Sequence, residues 1–222
     1  MKQLADDLWM LGGFPPNAIN IYVLGDVLVD AGTRHSGRRI FRQIGGRKIG
    51  AHALTHAHPD HQGSSKAVCE ALGVPYWVGA RDAEAARSGD MSAVMPDTLM
   101  SRMSMRTVGG PGRAVDRELA EGDEVGGFEV LDVPGHSPGH VAYWRESDRV
   151  LVLGDVVFGM NPVTGIPGLR PPFDFFTVDP AENRRSAQKL AALEPALVCF
   201  GHGPPVRDTR KFVDFVGTKM TP

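Results

Sequence analysis

The sequence predicts a mixed α/β domain, and three observations carry that prediction. Short runs rich in β-branched residues, ending at Gly, Pro or Asp, alternate with helix-length segments along the 222 residues. No long linker, low-complexity tract or short-period repeat breaks the alternation, so one domain over residues 1–222 is expected. Hydrophobic residues make up 42% and charged residues 23%, a balance that fills a core and excludes a disordered chain.

The elements follow in order. Leu8–Leu11 ends at Gly12-Gly13, Ile19–Leu24 at Gly25-Asp26, and Val27–Val29 at Asp30-Ala31-Gly32. These are strand signals, and Gly25-Asp26 between two apolar runs is a hairpin turn. Residues 35–45 read as a basic amphipathic helix closed by Gly45-Gly46. A buried strand is expected at 49–55, a helix at 64–72 stopped by Gly73, a strand at 74–78 and a short helix at 81–87. Further strands are expected at 127–133, 141–145, 149–153 and 196–200. The strongest helix signal spans 179–193, with Asp179 as N-cap, Pro180 at the first position and Glu182 three residues after the cap. A terminal helix is expected at 208–216. Segment 91–112 carries five of the nine methionines and ends in Gly109-Gly110-Pro111-Gly112. It reads either as a helix packed on the core or as a mobile, Met-rich cover over an apolar substrate.

Composition narrows the function classes. Net charge is −2, so no basic excess drives nucleic-acid binding. No run approaches the roughly 18–20 apolar residues of a membrane span, and Asp6 and Asp7 stand where a signal peptide would be apolar. A soluble, cytoplasmic protein acting on a small molecule is expected, with no nucleic-acid or membrane partner; oligomeric state is left open. Cys69 and Cys199 match neither a disulfide framework nor a zinc-binding spacing, and read as buried, inert thiols.

The eight histidines are the unusual count. Thr55-His56-Ala57-His58-Pro59-Asp60-His61 directly follows an expected strand. Residues two apart in extended chain share a face, so His56 and His58 can hold one metal ion between them. Pro59 keeps His58 extended, and Asp60 and His61 then fall at a turn, where they can diverge toward a second ion. Three more motifs sit at expected strand ends: Pro134-Gly135-His136-Ser137-Pro138-Gly139-His140, Gly154-Asp155 and Gly201-His202-Gly203. Each sets a metal-type ligand beside a glycine that permits close backbone approach.

The order His-x-His-x-Asp-His, Gly-His, Gly-Asp, Gly-His resembles the metallo-β-lactamase-fold superfamily, over roughly residues 15–216. The resemblance implies a four-layer αββα sandwich, two mixed sheets with helices on the outer faces and a metal site at one edge. It implies two divalent metal ions, zinc first and Fe or Mn as alternatives. His56, His58 and His136 would bind one ion. Asp60, His61 and His202 would bind the other, and Asp155 would bridge them. His140 and Asp30 resemble supporting positions, although Asp30 equally suits a plain turn. His35 and His52 match nothing in the family pattern. A metal-bridging hydroxide would attack an ester, lactone or thioester carbonyl, with Asp60 or Asp155 passing the proton to the leaving group.

Within that superfamily, Asp155 is a position that true zinc β-lactamases generally lack, so penicillin hydrolysis is not expected. Glyoxalase II enzymes share all seven ligands but carry a further C-terminal helical region, which argues against glutathione thioesters. Quorum-quenching lactonases match the ligand set, but the Tyr they often use after the bridging Asp has no counterpart in Asp155-Val156-Val157-Phe158-Gly159-Met160. Candidate pocket residues are Phe14, Phe158, Met160, Phe173, Phe175 and Phe176, with Arg170 as a possible carboxylate anchor. Three alternatives stay open: a mononuclear Fe(II) persulfide dioxygenase using His56, His136 and Asp155, a phosphodiesterase, and a non-catalytic metal-binding module.

Overall fold

The computed structural model describes residues 1–221. The first sheet contains β1 (Lys2–Ala5), β2 (Leu8–Leu11), β3 (Ile21–Leu24), β4 (Val27–Val29), β5 (Ala51–Ala53), β6 (Tyr76–Gly79) and β7 (Arg117–Leu119), side by side in chain order. Pairing is antiparallel from β1 to β4 and parallel from β4 to β7. The second sheet contains β8 (Glu124–Val125), β9 (Phe128–Asp132), β10 (Val141–Arg145), β11 (Val150–Val152) and β14 (Leu197–Cys199), in the order β14-β11-β10-β9-β8. Only its β11–β14 pair is parallel. Between them in the chain, β12 (Phe158–Met160) and β13 (Pro167–Arg170) make a separate hairpin.

The helices are α1 (Gly37–Ile44), the single turn α2 (Pro59–Gln62), α3 (Ser65–Leu72), α4 (Ala83–Ser88), α5 (Leu99–Thr107), α6 (Pro180–Ala191) and α7 (Thr209–Lys219). Three apolar clusters give the layer order. One joins the first sheet to α1, α3 and α4 through Ile21, Val23, Leu28, Ile40, Val68 and Ala86. A second lies between the sheets and holds Tyr22, Leu24, Val29, Phe128, Val130, Tyr143 and Val152. A third joins the second sheet to α6 and α7 through Leu151, Val198, Ala187, Leu190 and Phe212. Alternation along β3 shows the cause, because Ile21 and Val23 point into the first cluster while Tyr22 and Leu24 point into the second. The result is the expected four-layer αββα sandwich.

The expected strands and helices form within a few residues of their predicted bounds. Asp179 caps α6 by accepting the Glu182 N–H at 2.9 Å, and Gly73 ends α3 in the left-handed region at φ +66°. Five features were not expected: β1, β7, β8, the β12–β13 hairpin and α2. Each is short, and β1, β7, β8 and β13 carry charged residues or Pro and Gly in place of an apolar run. Of these, β1, β7 and β8 are held by pairing with β2, β6 and β9, which the sequence already specifies.

His52 takes no part in the ligand motifs and is fully buried in the core. Its ring contacts Leu28 O at 2.9 Å and Ser65 Oγ at 2.8 Å, and it stacks on Tyr76. Burial lowers its pKa from the usual 6.5 to about 4. The unfolded chain therefore binds this proton first as pH falls, and stability is lost from about pH 6.5 down toward pH 4. Between pH 7.5 and 5 that loss is roughly 2 kcal/mol. Urea unfolding of wild type and His52→Gln at both pH values is expected to show a shallower pH slope in the variant.

Candidate metal centre

The expected ligands all lie at one edge of the sandwich, on loops that follow strands of both sheets. His56 and His58 follow β5, and Asp60 and His61 sit on α2, whose start is set by His58 in extended conformation and Pro59. His136 follows β9, Asp155 follows β11 and His202 follows β14. Two glycines are required here. A Cβ on Gly201 would lie 2.0 Å from Asp155 Oδ1, and one on Gly154, at φ +58°, would lie 2.6 Å from His140 Cε1.

Three groups of donor atoms lie within 4.8 Å of one another: His56, His58 and His136; His56, His61 and Asp155; and Asp60, His61 and His202. Asp155 joins them. Its Oδ2 lies 3.1 Å from His202 Nε2, 3.4 Å from His61 Nε2, 3.5 Å from His136 Nε2 and 3.9 Å from His56 Nε2. Asp60 Oδ2 lies 3.3 Å from His202 Nε2. Each of the five imidazoles in these groups, His56, His58, His61, His136 and His202, is buried with one nitrogen tied to the protein and the other turned inward.

The outer partners fix each tautomer. Thr55 Oγ1 donates to the Asp30 carboxylate at 2.9 Å, so its contact with His56 Nδ1 at 3.0 Å uses the ring N–H. His61 Nδ1 donates to Asp30 Oδ2 at 2.9 Å, and His58 Nε2 to Val94 O at 2.8 Å. Thr177 donates to Phe173 O at 3.0 Å and accepts from His136 Nδ1 at 3.1 Å. His202 Nδ1 donates to Ala18 O. In the neutral form of each ring the remaining nitrogen carries a lone pair. His56 Nε2, His61 Nε2, His136 Nε2 and Asp155 Oδ1 are buried with no hydrogen-bond partner. Buried polar atoms are ordinarily satisfied, so this convergence of bare nitrogen and oxygen donors fits a divalent cation.

Electrostatics agree. Burial drives His56, His58 and His136 toward the neutral form. Burial opposes charge at His202 and His61 too, but Asp155 and the neighbouring carboxylates outweigh it, taking His202 up to about 10 and raising His61. Burial would raise Asp155, yet His202 and His61 hold it well below the usual carboxylate range. Asp60 is lowered by the same two rings, against its burial. The second triad thus draws positive charge, and a metal entering it displaces protons.

His140 lies beside the donor groups and belongs to none of them. Its Nε2 accepts the Asp155 N–H at 3.1 Å, and its ring stacks on His56 at 4.6 Å. Asp30 is a support, not merely a turn residue. It accepts from Thr55 N at 2.8 Å and orients His61 directly and His56 through Thr55. Sequence reasoning missed Asp82, whose buried carboxylate accepts from Ala57 N, Gly139 N and Ser137 Oγ at 2.6–2.9 Å. It ties the His56-x-His58 loop to the His136 loop. Also missed were Thr177 and Asn20; Asn20 Nδ2 donates to Phe200 O and Gly203 O around the His202 turn.

A cavity of about 130 Å³ opens over the donors. His58, Asp60, His136, Asp155 and His202 form its floor, and Met95, Ser104, Phe158, Pro162, Val163, Phe173 and Phe176 its walls. Phe158 and Phe173 are thus where they were expected. Phe176 borders it too, and four candidates do not: Phe175 stacks on Phe173 instead, and three others lie elsewhere. Phe14 is 95% exposed and borders a separate groove with His35 and Arg39. Met160 is buried in the core, and Arg170 does not border the cavity. Short apolar or cationic segments carry no signal for which way a loop turns. The Met-rich segment is a wall: Met91 and Met95 are buried, Val94 holds His58, and Ser104 on α5 faces the cavity.

Comparison with known proteins matches this geometry. Residues 14–202 match the model of the metallo-beta-lactamase superfamily. The chain is 30% identical to the probable metallo-hydrolase YflN of Bacillus subtilis over 200 residues, covering 81% of this chain and 76% of that protein. It is 32% identical over 120 residues to the hydroxyacylglutathione hydrolase of Methylococcus capsulatus, covering 52% of this chain and 37% of that protein. Its fold matches the structure of TTHA1623 in a di-iron-bound form, with a TM-score of 0.63, 29% identity and 92% of each chain covered. The chain belongs to the metallo-beta-lactamase superfamily and is a metal-dependent hydrolase.

Asp30→Ala removes the acceptor that orients rings in both triads. Divalent-metal affinity is expected to fall about 10- to 100-fold, read by competition with a chromophoric chelator. Asp82→Asn loses the second carboxylate oxygen and is expected to destabilise the fold by about 1–3 kcal/mol, read by urea unfolding.

Proposed function

We propose that the chain is a dinuclear metal-dependent hydrolase that cleaves an ester, lactone or thioester of a largely apolar small molecule. The observation that carries this reading is the pair of donor triads meeting at Asp155. His56, His58 and His136 would hold one ion, Asp60, His61 and His202 would hold the other, and Asp155 lies between the two groups. Imidazole and carboxylate without thiolate suit zinc, and Fe or Mn next. When bound, the ions supply Lewis acidity and lower the pKa of water from about 15.7 toward about 7.

The chain's own residues do the rest. Phe158, Phe173, Phe176 and Met95 wall the cavity, receive the apolar part of the substrate and keep bulk water from the bond being cleaved. The acyl–oxygen or acyl–sulfur bond breaks, with water giving its hydroxyl to the acyl carbon and its proton to the leaving group. Asp60 is the carboxylate open to the cavity, its side chain 26% exposed against 3% for Asp155. Asp60 therefore moves the proton, and Asp155, ringed by imidazoles, stays anionic.

Two observations favour this reading over its alternatives. A mononuclear iron centre on His56, His136 and Asp155 would leave Asp60, His61 and His202 unused, although their geometry is equally prepared. No Lys or Arg borders the cavity among the described residues, which favours a neutral carbonyl over a phosphodiester. The likeness to a hydroxyacylglutathione hydrolase keeps thioesters within the class.

Metal analysis is expected to find close to two ions per chain. Turnover of p-nitrophenyl esters, lactones or thioesters should vanish on chelation and return with zinc. His56→Ala with His58→Ala is expected to reduce turnover to background, and full activity in that double variant would overturn the reading.

A further inference from the structure

The walls of the cavity continue outward as an aromatic track. Phe158 packs edge-on against His202, with ring centres 4.9 Å apart, and against His136 at 6.2 Å. Phe173 follows at 6.1 Å from Phe158, and Phe175 stacks on Phe173 at 4.9 Å. The track starts at the metal-binding rings and ends at Phe175, which is 38% exposed.

The track opens onto an apolar rim. Nine large hydrophobic side chains are exposed among the described residues, and six of them, Leu99, Met100, Met103, Val163, Ile166 and Phe175, lie on three segments that also supply cavity-lining residues: Ser104, Pro162 with Val163, and Phe173 with Phe176. Val163 itself borders the cavity from the β12–β13 turn, and Asn161 N donates to Ile166 O to close that turn. Met100 lies one turn before the cavity-lining Ser104 on the same face of α5. Thr98 Oγ1 and Ser101 Oγ both reach Phe175 O at 3.3 Å, which fixes α5 against the end of the track.

Size makes the rim necessary. The cavity of about 130 Å³ is smaller than the roughly 300–1,000 Å³ of ordinary small-molecule sites. A larger substrate must leave the cavity while still attached to the reacting carbonyl, past walls formed by Met95, Phe158, Val163, Phe173 and Phe176. Scattered single hydrophobics need no explanation, but Val163 borders the cavity itself and Phe175 ends a chain of ring contacts that starts in it. An unbranched chain of methylenes matches it, since it fills a narrow aromatic slot and needs no polar partner.

Resting on the hydrolase reading above, we propose that the substrate is an aliphatic acyl ester, lactone or thioester whose acyl chain outgrows the cavity. The chain runs from the reacting carbonyl past Phe158, Phe173 and Phe175 and crosses the rim at Val163. Phe175 and Val163 then set chain-length specificity.

The test is a series of p-nitrophenyl acetate, butyrate, octanoate and dodecanoate with zinc-loaded wild type, Phe175→Ala and Val163→Asp, below micelle-forming concentrations. In wild type, kcat/KM is expected to rise about fourfold per added methylene over the first part of the series. Each substitution is expected to lower the dodecanoate-to-acetate ratio about tenfold. A flat series with measurable turnover overturns the acyl-chain assignment and leaves the hydrolase reading intact. A ratio unmoved by both substitutions, with Val163→Asp turning a dimer into a monomer, assigns the rim to a second copy and also overturns it. Absence of turnover on every ester overturns the hydrolase reading instead, and calorimetry then decides the track. Decanoate binding tighter than butyrate, and weakened about tenfold by both substitutions, supports the track; equal binding of the two acids overturns it.

Discussion

One carboxylate oxygen, Asp155 Oδ2, faces four imidazole nitrogens within 3.9 Å, and the rest of the molecule is arranged around that contact. Burying an anion costs several kcal/mol unless it is paired. Here the pairing charge comes from the His61 and His202 rings, which the carboxylates hold toward the protonated form, and a divalent cation displacing those protons would take over the pairing. The four rings come from the ends of strands in two different sheets. The sandwich is thus the frame that lets β5, β9, β11 and β14 deliver their loops to one edge.

The frame is held at the site by acceptors that never face the cavity. Asp30 reaches His61 directly and His56 through Thr55, so one buried carboxylate orients rings assigned to different ions. Asp82 fastens the first His loop to the second. Backbone carbonyls of Val94 and Ala18 fix His58 and His202. Segment 91–112 therefore has two jobs, since it supplies Val94 as well as a wall of the cavity. Apolar clusters on both faces of both sheets make these loops stiff enough to keep bare donors apart.

Much of this was legible in the sequence because strand ends and glycines leave local marks. The run from His56 to His61, Gly135-His136, Gly154-Asp155 and Gly201-His202 each join an apolar strand to a ligand at a point where the backbone needs freedom or closeness. What could not be read depends on contacts far apart in the chain. Asp82 lies 57 residues before Gly139, whose N–H it accepts, and Thr177 lies 41 residues after His136. Neither position has a spacing that announces it. Phe14, Met160 and Arg170 were placed by residue type alone, and only the folded loops decide that Phe14 turns to a separate groove while Phe158 and Phe173 turn to the site. The hairpin β12–β13 was invisible for a similar reason: Gly159, Pro167 and Gly168 give it no strand propensity, and it is held by its own pairing, by Gly159 N donating to His202 O and by Phe158 packing on His202.

The central claim is that two donor triads, joined by Asp155, hold two ions. Anomalous diffraction at the zinc edge, from crystals grown with zinc, tests it most directly. Two peaks are predicted, one coordinated by His56, His58 and His136, the other by Asp60, His61 and His202, with Asp155 touching both. A single peak, or a peak away from these seven side chains, would contradict it.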